Sequence, residues 1–247
     1  MSNISFIIIG AQKSGTSSLY KYITDHPEIS RTKKKELHYF DLNFDKGKNW
    51  YLSHFQDNDN LTGEASPYYI FHPHVFRRIK NEFPDVKLIV LLRNPADRAI
   101  SHYYHNINKK REPLSIQHAF YFEKARLEKE FNEMLEDEHY NSYIYQHYSY
   151  KKRGIYFEQL QNYFDLFNRK QLFTIQSEKL FNTPESVLVK IWRFLEVDEN
   201  FIPDYLGPVN KSNIKKEVSN KFYNELKEFY IPYNKKLFEL LECEYDW

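Results

Sequence analysis

Residues 6–19, FIIIGAQKSGTSSL, constrain the fold most strongly, because an apolar strand runs directly into a glycine-containing turn and a helix start. A continuous apolar run bounded by glycine is typical of a central parallel strand buried on both faces. Gly10 and Gly15 have the spacing of the phosphate-binding pattern G-x-x-x-x-G-K-[ST]. However, Thr16 follows Gly15, and the lysine of the turn, Lys13, lies inside it. The turn is therefore an altered nucleoside-triphosphate site, a site for a different phosphate donor, or a plain strand-to-helix connection.

Further buried strands alternate with helical segments, which indicates an α/β fold with a central parallel sheet flanked by helices. VKLIVLLRNP and QLFTIQSEKL are two such strands, and LTGEASPYYIFHP is a loop beside a short strand or helix. We predict a short extended piece at KELHYFD, a solvated helix over SIQHAFYFEKARLEKEFNEML capped by Ser115, and a last helix interrupted at Pro232. We assign residues 1–247 to a single domain, with residues 108–152 as a charged helical insertion.

The composition excludes several classes of partner. A formal net charge of +1 over 247 residues leaves no field that would attract DNA, RNA or an anionic membrane. The single cysteine, Cys243, has no partner for an internal disulfide, and no Cys/His spacing suits a metal. The first residues are typical of a strand rather than a signal peptide, and no stretch has the length of a transmembrane helix. We therefore expect a cytoplasmic protein with no metal, no nucleic-acid partner and no transmembrane segment.

Arg93 decides which phosphate chemistry the glycine-containing turn supports. A nucleoside-triphosphate site needs an acidic residue at the end of a later strand to hold Mg²⁺, whereas the run LIVLL ends at Arg93. Open α/β sheets bind ligands at the carboxyl ends of their strands, and a planar guanidinium suits bidentate capture of phosphate. Ser101, two turns along the next helix, adds a hydroxyl. The two motifs together favour a donor with two separated anionic groups that is handled without metal.

These motifs resemble those of one enzyme family. FIIIGAQKSGTSSL is similar to the 5′-phosphosulfate-binding loop of sulfotransferases, and LIVLLRNPADRAISHYYH is similar to their 3′-phosphate-binding element. KELHYFD and the ending IPYNKKLFELLECEYDW are similar to the heparan sulfate sulfotransferases and to the sulfotransferase domain of N-deacetylase/N-sulfotransferases. The resemblance implies a P-loop-like sulfotransferase fold, with 3′-phosphoadenosine 5′-phosphosulfate (PAPS) as the co-substrate and no metal.

The resemblance also implies which residues bind the donor. Lys13 would steady the bridging oxygen of the phosphosulfate as it leaves, and residues 203–218 would form a lid over the donor. The donor-binding residues that it implies are Lys13, Ser14, Gly15, Thr16, Ser17, Ser18, Arg93, Ser101, Tyr156, Lys211, Ser212 and Lys216. Judged from the residues alone, Tyr156 is equally well explained as a core aromatic, and the basic turn of the lid as a solvated one.

Glu36 in KELHYFD matches the catalytic base of the carbohydrate sulfotransferases. Judged from the residues alone, it is equally well explained as a surface ion pair with Lys33, Lys34 or Lys35. His38 is the second candidate for the base or for acceptor binding, since it lies on the same side of an extended segment as Glu36. Glu64 and Ser66 of GEASPYY are assigned to acceptor binding with them, because this segment resembles one near the acceptor. The heparan sulfate enzymes have a lysine after this glutamate, whereas this chain has Ala65, which weakens the expectation of a highly anionic acceptor.

The predicted function is transfer of the sulfonate of PAPS to a hydroxyl of a saccharide or glycan, with an amine as the alternative acceptor group. Small metabolites and lipid-like alcohols are the alternative acceptor class, which the 21 tyrosines also suit. Two other functions stay open. A small-molecule P-loop kinase would need a lysine after Gly15 and a metal-binding acid near position 93. A non-catalytic nucleotide-binding protein would keep the fold without turnover.

Overall fold

A computed structural model describes residues 4–56, 58–209 and 217–247 of the chain. The chain divides into two compact units. The first comprises Met1–Arg93 with Tyr163–Lys211, and the second comprises Asn94–Asn162 with Ser212–Trp247. The predicted insertion, residues 108–152, lies within the second unit, and the assignment of the whole chain to one domain stays a prediction.

The described residues contain strands, α-helices and short 3-10 helices. The strands are β1 (Phe6–Gly10), β2 (Ile29–Ser30), β3 (Leu61–Ala65), β4 (Lys87–Leu92) and β5 (Leu172–Gln176). The α-helices are α1 (Thr16–Thr24), α2 (Tyr39–Leu42), α3 (Gly47–Leu52), α4 (Val75–Glu82), α5 (Pro95–Asn108), α6 (Ile116–Tyr121), α7 (Glu123–Glu136), α8 (Tyr143–Tyr148), α9 (Tyr156–Leu166), α10 (Ser177–Asn182), α11 (Pro184–Leu195) and α12 (Asn220–Leu241). The 3-10 helices are Phe44–Lys46, Lys152–Gly154 and Arg169–Gln171.

The first unit is built on a sheet whose paired strands are all parallel, in the order β2-β3-β1-β4-β5. In the register of β1 with its two neighbours, Ile8 lies opposite Ala65 of β3 and Ile89 of β4. Since β2 and β3 lie on one side of β1, and β4 and β5 on the other, the strand order reverses beside β1. Open α/β sheets bind ligands at such a reversal, outside the carboxyl ends of the strands. The fold therefore predicts a ligand-binding site at the carboxyl end of β1.

Helices bury both faces of β1 and β4, as their continuous apolar runs predict. Phe6 and Ile8 pack with Leu19 of α1 and with Leu188 and Trp192 of α11, and all five are at most 1% exposed. The residues that alternate with them along β1 and β4 are fully buried as well. Each aliphatic side chain of this kind contributes about 1.5–3 kcal/mol by leaving water. The predicted α/β class, with a central parallel sheet flanked by helices, is confirmed.

The second unit is helical and has its own aromatic core. The Asn94 side chain caps α5 by accepting hydrogen bonds from the N–H groups of Ala96 and Asp97, at 3.0 and 3.3 Å. Helices α5, α6 and α12 pack around Phe120 and Tyr150, whose rings stack with their centroids 5.2 Å apart. Stacked rings in contact with buried aliphatic groups stabilise this unit beyond the area that they bury.

KELHYFD is not extended, which differs from the sequence prediction. Glu36 and His38 have φ angles of 56° and 51°, in the left-handed region, and Tyr39 begins the short helix α2. The N–H of His38 bonds Ser66 Oγ at 3.1 Å, and the Asn43 side chain donates to the carbonyl of His38 at 3.0 Å. These bonds to residues outside the segment impose a conformation that non-glycine residues rarely adopt.

Two predictions about the second unit also need correction. The charged helix is two helices, α6 and α7, which break at Phe122, although its predicted cap Ser115 does accept a bond from His118 N at 3.5 Å. The break turns Glu123 inward, where its carboxylate accepts bonds from the N–H groups of Lys151 and Lys152. The last helix, α12, is not interrupted but continues through Pro232. It does so because residues on both sides of the proline (Leu226, Tyr230 and Leu237) are buried along one face.

Candidate active site

The candidate site lies at the carboxyl edge of the sheet, where the segments that follow the parallel strands come together. Residues 10–15, from the last residue of β1 to the residue before α1, form a turn that we call the donor loop, and Arg93 directly follows β4. The segment after β2 leads to Lys35, Glu36 and His38, and Ser66 directly follows β3. Because the strands are parallel and adjacent, segments far apart in the sequence meet at one edge.

The donor loop ends in a helix start that has no capping side chain. Gly15 is the N-cap of α1, with φ 99°, and no side chain accepts a hydrogen bond from the first turn. A Cβ at Gly15 would lie 2.7 Å from the Phe181 ring, so only glycine fits both the backbone angle and the space. The Ser177 hydroxyl of α10 holds the loop by donating to Ser14 O at 2.6 Å. The N–H groups at the start of α1 are thus presented at the sheet edge without a side-chain acceptor.

The hydroxyl groups of the loop and helix differ in accessibility. Ser14, Thr16 and Ser18 are at most 5% exposed, and Ser14 Oγ has no hydrogen-bond partner among the described residues. Ser18 Oγ accepts a bond from Val209 N at 3.0 Å. Ser17 is less buried, and its hydroxyl contacts the ammonium of Lys35. Of the predicted donor-binding hydroxyls in this stretch, Ser17 is the one that reaches the other site segments.

Arg93 lies against the donor loop. Its Nη1 donates a hydrogen bond to the carbonyl of Lys13 at 3.2 Å, which joins the end of β4 to the loop after β1. Lys13 has a left-handed φ of 73°, so this bond holds a backbone conformation that is uncommon for lysine. Lys13 and Arg93, which belong to separate sequence motifs 80 positions apart, are therefore in direct contact.

Glu36, His38 and Asp41 form a chain of charged groups. His38 Nδ1 lies 2.8 Å from Asp41 Oδ2, and His38 Nε2 lies 3.8 Å from Glu36 Oε2. The first distance is a hydrogen bond, whereas the second is an ion-pair contact. The carboxylate of Asp41 is fully buried, while 41% of the Glu36 side chain is exposed. The chain thus runs from a buried anion through the imidazole to an accessible carboxylate.

These contacts separate the pKa values of Glu36 and His38. The pKa of Glu36 is lowered to about 2, because the contact with His38, assisted by Lys35, outweighs the effect of burial. Burial acts to lower the pKa of His38, but the carboxylates of Asp41 and Glu36 outweigh it and raise the pKa to about 10. At neutral pH Glu36 is therefore a carboxylate, which accepts a proton, and His38 is an imidazolium, which donates hydrogen bonds.

Glu64 and Ser66 are fully buried and bond to one another and to the protein interior. Glu64 accepts hydrogen bonds from Ser66 Oγ and Tyr69 OH, both at 2.7 Å, and from Tyr51 OH at 3.1 Å. Burial raises the pKa of Glu64, against these hydrogen bonds. Ser66 Oγ in turn accepts the bond from His38 N. The structure places both buried residues beneath the segment that carries Glu36 and His38, and their role in acceptor binding stays a prediction.

Comparison with known proteins gives the family. The family model described as "Sulfotransferase domain" matches residues 3–239. The chain belongs to the sulfotransferase family. The crystal structure of a sulfotransferase from Alicyclobacillus acidocaldarius is similar over 99% of this chain and 98% of its own, with 29% sequence identity and a TM-score of 0.81. The family and the P-loop-like sulfotransferase fold that the motifs predicted are both confirmed.

Two curated relatives bear on what a sulfotransferase of this kind does. Membrane-associated sulfotransferase kil1 of Dictyostelium discoideum is 28% identical over 98% of this chain and 66% of its own length. Human heparan sulfate glucosamine 3-O-sulfotransferase 3B1 is 26% identical over 98% of this chain and 64% of its own length. This sulfotransferase chain therefore spans about two thirds of the length of the curated relatives that it matches.

The remaining predicted site residues of the sulfotransferase either belong to the second unit or lie outside the described residues. Ser101 and Tyr156 belong to the second unit, where Ser101 is buried on α5 and the Tyr156 ring lies 6.0 Å from that of Trp247. Lys211, Ser212 and Lys216, with the other residues of the predicted lid between 210 and 216, lie outside the described residues. The donor-binding role of these five residues stays a prediction.

Residues 4–56, 58–209 and 217–247 contain no group of three or more His, Cys, Asp or Glu residues that could hold a metal ion. Across the same ranges, no helix combines the length and the apolar character needed to cross a membrane.

Two residues of the candidate site, Asp41 and Lys35, could not be identified from the sequence. Asp41 is three residues after His38 in KELHYFD, a spacing that places both on one side of a helical turn, but that segment was predicted to be extended. From the sequence alone, Lys35 is explained as a surface ion-pair partner of Glu36 in the basic run RTKKK. Its contact with Ser17 depends on the turn that follows β2, which nothing in the local sequence indicated.

The sulfotransferase also has a groove at the opposite edge of the sheet. This groove, of about 630 Å³, is lined by residues at the amino ends of the strands, such as Ser5, Leu61 and Lys87. Of the predicted site residues that the structure describes, none lines it. Since open α/β sheets bind ligands at their carboxyl edge, the donor loop is the candidate site rather than this groove.

Proposed function

We propose that this sulfotransferase moves the sulfonate of PAPS to a hydroxyl group of a saccharide or glycan by in-line transfer, without a metal. The observation that carries the proposal is that the donor loop, which suits an anion, and the accessible carboxylate of Glu36 lie at the same edge of the sheet. Lys35 joins the two, since its ammonium contacts Ser17 Oγ and lies 3.1 Å from Glu36 Oε1. In-line transfer needs a site for the leaving phosphate on one side and a proton acceptor on the other.

The donor loop fits the phosphosulfate end of PAPS. Among the described residues, the N–H groups of Gly15, Thr16 and Ser17 have no hydrogen-bond acceptor. A helix start of this kind favours an anion through both its N–H groups and the helix dipole. Lys13 and Arg93, which are in contact, add positive charge beside the loop. These groups would hold PAPS, whose phosphate serves as the leaving group of the reaction.

Glu36 is the residue best suited to take the proton of the acceptor hydroxyl. It is ionised at neutral pH, since its pKa is lowered to about 2. Its side chain is also more exposed than those of His38 and Asp41. His38, with its pKa raised to about 10, holds its proton and orients Glu36 instead. Asp41 keeps the imidazole oriented through the bond to Nδ1. The electrostatics thus favour Glu36 over His38 as the base.

The saccharide acceptor is proposed from the relatives that are named as heparan sulfate glucosamine 3-O-sulfotransferases. Ala65, the residue after Glu64, is fully buried and brings no charge to the site. We therefore expect a glycan less anionic than heparan sulfate, and a small alcohol as the acceptor to test against it. A cytoplasmic location stays a prediction alongside the acceptor.

Thermal unfolding with two nucleotides tests the donor. A ligand that binds only the folded chain, at a hundred times its dissociation constant, raises the free energy of unfolding by about 2.7 kcal/mol. We expect 3′-phosphoadenosine 5′-phosphate (PAP) to raise the melting temperature without Mg²⁺, and ATP with Mg²⁺ to leave it unchanged. Stabilisation by ATP with Mg²⁺ alone would favour a kinase and overturn the proposal. Labelled PAPS, offered with desulfated heparan oligosaccharides and with p-nitrophenol, then separates a glycan acceptor from a small alcohol.

A further inference from the structure

Lys35 lies between the end of the donor loop and Glu36. Its ammonium contacts Ser17 Oγ at the start of α1 and lies 3.1 Å from Glu36 Oε1. Its side chain is 34% exposed and thus half-buried, whereas the neighbouring Lys33 and Lys34 are both exposed. Lys33 points away from the site, since its ammonium donates to the carbonyl of Ser53. Lys35 is thus the member of the basic run that the fold turns inward.

The two contacts of Lys35 fix where its charge lies along the reaction. In-line transfer places the leaving phosphate oxygen, the sulfur and the acceptor oxygen in a row. The donor loop would lie at the phosphate end of this row, and Glu36 would lie at the acceptor end. Because the Lys35 ammonium contacts groups at both ends of this row, it lies beside the sulfur, where the sulfonate is transferred.

We propose that Lys35 is a catalytic residue that binds the sulfonate during transfer and pairs with Glu36 only while the donor is absent. The inference rests on the proposed function. The S–O bond to the phosphate breaks, with its electron pair going to the phosphate oxygen. A new S–O bond forms from the acceptor oxygen, whose proton goes to Glu36. Lys35 keeps its proton throughout and stabilises the negative charge of the sulfonate oxygens.

The same movement of Lys35 prepares Glu36 for its role. In the structure two cations face the Glu36 carboxylate, Lys35 and the imidazolium of His38, with the buried Asp41 behind the imidazole. When Lys35 turns to the sulfonate, Glu36 loses one of these two partners and becomes a stronger proton acceptor. Binding of the donor would thus activate the base, and the carboxylate would stay paired when no sulfonate is present.

Binding of PAPS and of PAP to variants of Lys35 tests this role without any acceptor. PAP lacks the sulfonate, so Lys35→Gln should leave its dissociation constant within about threefold of the wild type. The same variant should weaken PAPS binding by roughly tenfold, through loss of one charge-assisted hydrogen bond. Lys35→Arg, which keeps the charge, should recover part of this loss. Lys34→Gln is the matched control, because it removes an equal charge from an exposed neighbour, and both dissociation constants should be unchanged.

Turnover gives a second, independent measurement. With labelled PAPS and whichever probe the wild type sulfates, a desulfated heparan oligosaccharide or p-nitrophenol, Lys35→Gln should lower kcat on the order of 10²-fold. Removal of a cation beside Glu36 raises the pKa of that carboxyl, so the acid limb of kcat/KM should move to higher pH in Lys35→Gln and not in Lys34→Gln.

Two results would overturn the role of Lys35 alone. One is a Lys35→Gln variant that binds PAPS and turns it over as the wild type does. The other is a loss of PAP affinity as large as the loss of PAPS affinity, which would make Lys35 a phosphate ligand. Failure of the wild type to bind PAP at all is a different result, since it would overturn the proposed function and the role of Lys35 together.

Discussion

At the residue scale, Glu36 and His38 divide acid and base character between two neighbouring side chains. Asp41 and Glu36 flank the imidazole with negative charge, which raises the pKa of His38 from 6.5 to about 10. This contribution to stability is fully present below pH 6.5 and is lost as the pH rises through about 10. The lowered pKa of Glu36 has the opposite sign, and its contribution is present above pH 4.5 and lost as the pH falls towards 2. Both charges are therefore in place across the neutral range.

Substitution Glu36→Gln tests which of the two residues is the base. We expect kcat to fall by about 10²–10⁴-fold, the usual contribution of a general base, while PAP affinity stays at the wild-type level. The substitution also removes an anion beside His38, so the pKa of that imidazole should fall below 10, which NMR titration measures. Glu128→Gln, on the exposed side of α7, is the control. Full turnover by Glu36→Gln would move the role of base to His38.

At the element scale, β3 supports the left-handed segment that carries Glu36. Ser66, directly after β3, connects the buried carboxylate of Glu64 to the N–H of His38. Tyr69 OH, which also donates to Glu64, accepts the N–H of Tyr39 at 2.8 Å. These bonds replace those that a regular strand or helix would supply. The hydrogen-bonded residues beneath the segment therefore set the orientation of Glu36.

Substitution Ser66→Ala should damage catalysis without touching the donor loop. It leaves Glu64 without one of its donors and His38 N without its acceptor, at a cost of about 1–3 kcal/mol of stability. We expect kcat to fall while PAP affinity is retained, as measured by calorimetry and by turnover of labelled PAPS. Ser186→Ala, which removes an exposed hydroxyl bonded to Thr183 O, should change neither. Equal losses of kcat and PAP affinity in Ser66→Ala would instead indicate general misfolding.

The elements that could be predicted from sequence are those that local pattern alone determines. β1, β4 and β5 are apolar runs bounded by glycine, proline or polar residues, and α1 and α11 follow from their periodicity and stops. The segment at Glu36 and His38 was missed because its conformation depends on Ser66, 28 residues further along the chain. The break at Phe122 was missed for a similar reason, since it serves the burial of Glu123. The motifs select Lys13, Glu36 and Arg93 as candidate site residues from the sequence alone. The contacts of Lys35 and Asp41 become evident only from the fold.

At the scale of the whole molecule, the sheet of the first unit offers two different edges to a ligand. The amino edge has the groove of about 630 Å³, but its lining near Lys87 and Glu196 is already paired, with the two side chains 2.8 Å apart. The carboxyl edge has the donor loop, Arg93 and the uncapped start of α1. The groove makes the first edge a candidate, whereas positive charge and N–H groups without an acceptor favour the second.

Hydrogen–deuterium exchange with PAP distinguishes these edges directly. At a hundred times the dissociation constant, amides that exchange only through unfolding of the binding region should slow by about 100-fold. We expect this protection in peptides covering residues 10–20 and 91–93, while peptides covering residues 82–87 and 195–196, which line the groove, exchange no more slowly than the rest of the chain. The Arg93→Ala variant should lose the protection at the same PAP concentration, because its guanidinium joins β4 to the donor loop through Lys13 O. Protection confined to residues 82–87 and 195–196 would place the ligand at the amino edge and would leave the donor loop as a plain connection between β1 and α1.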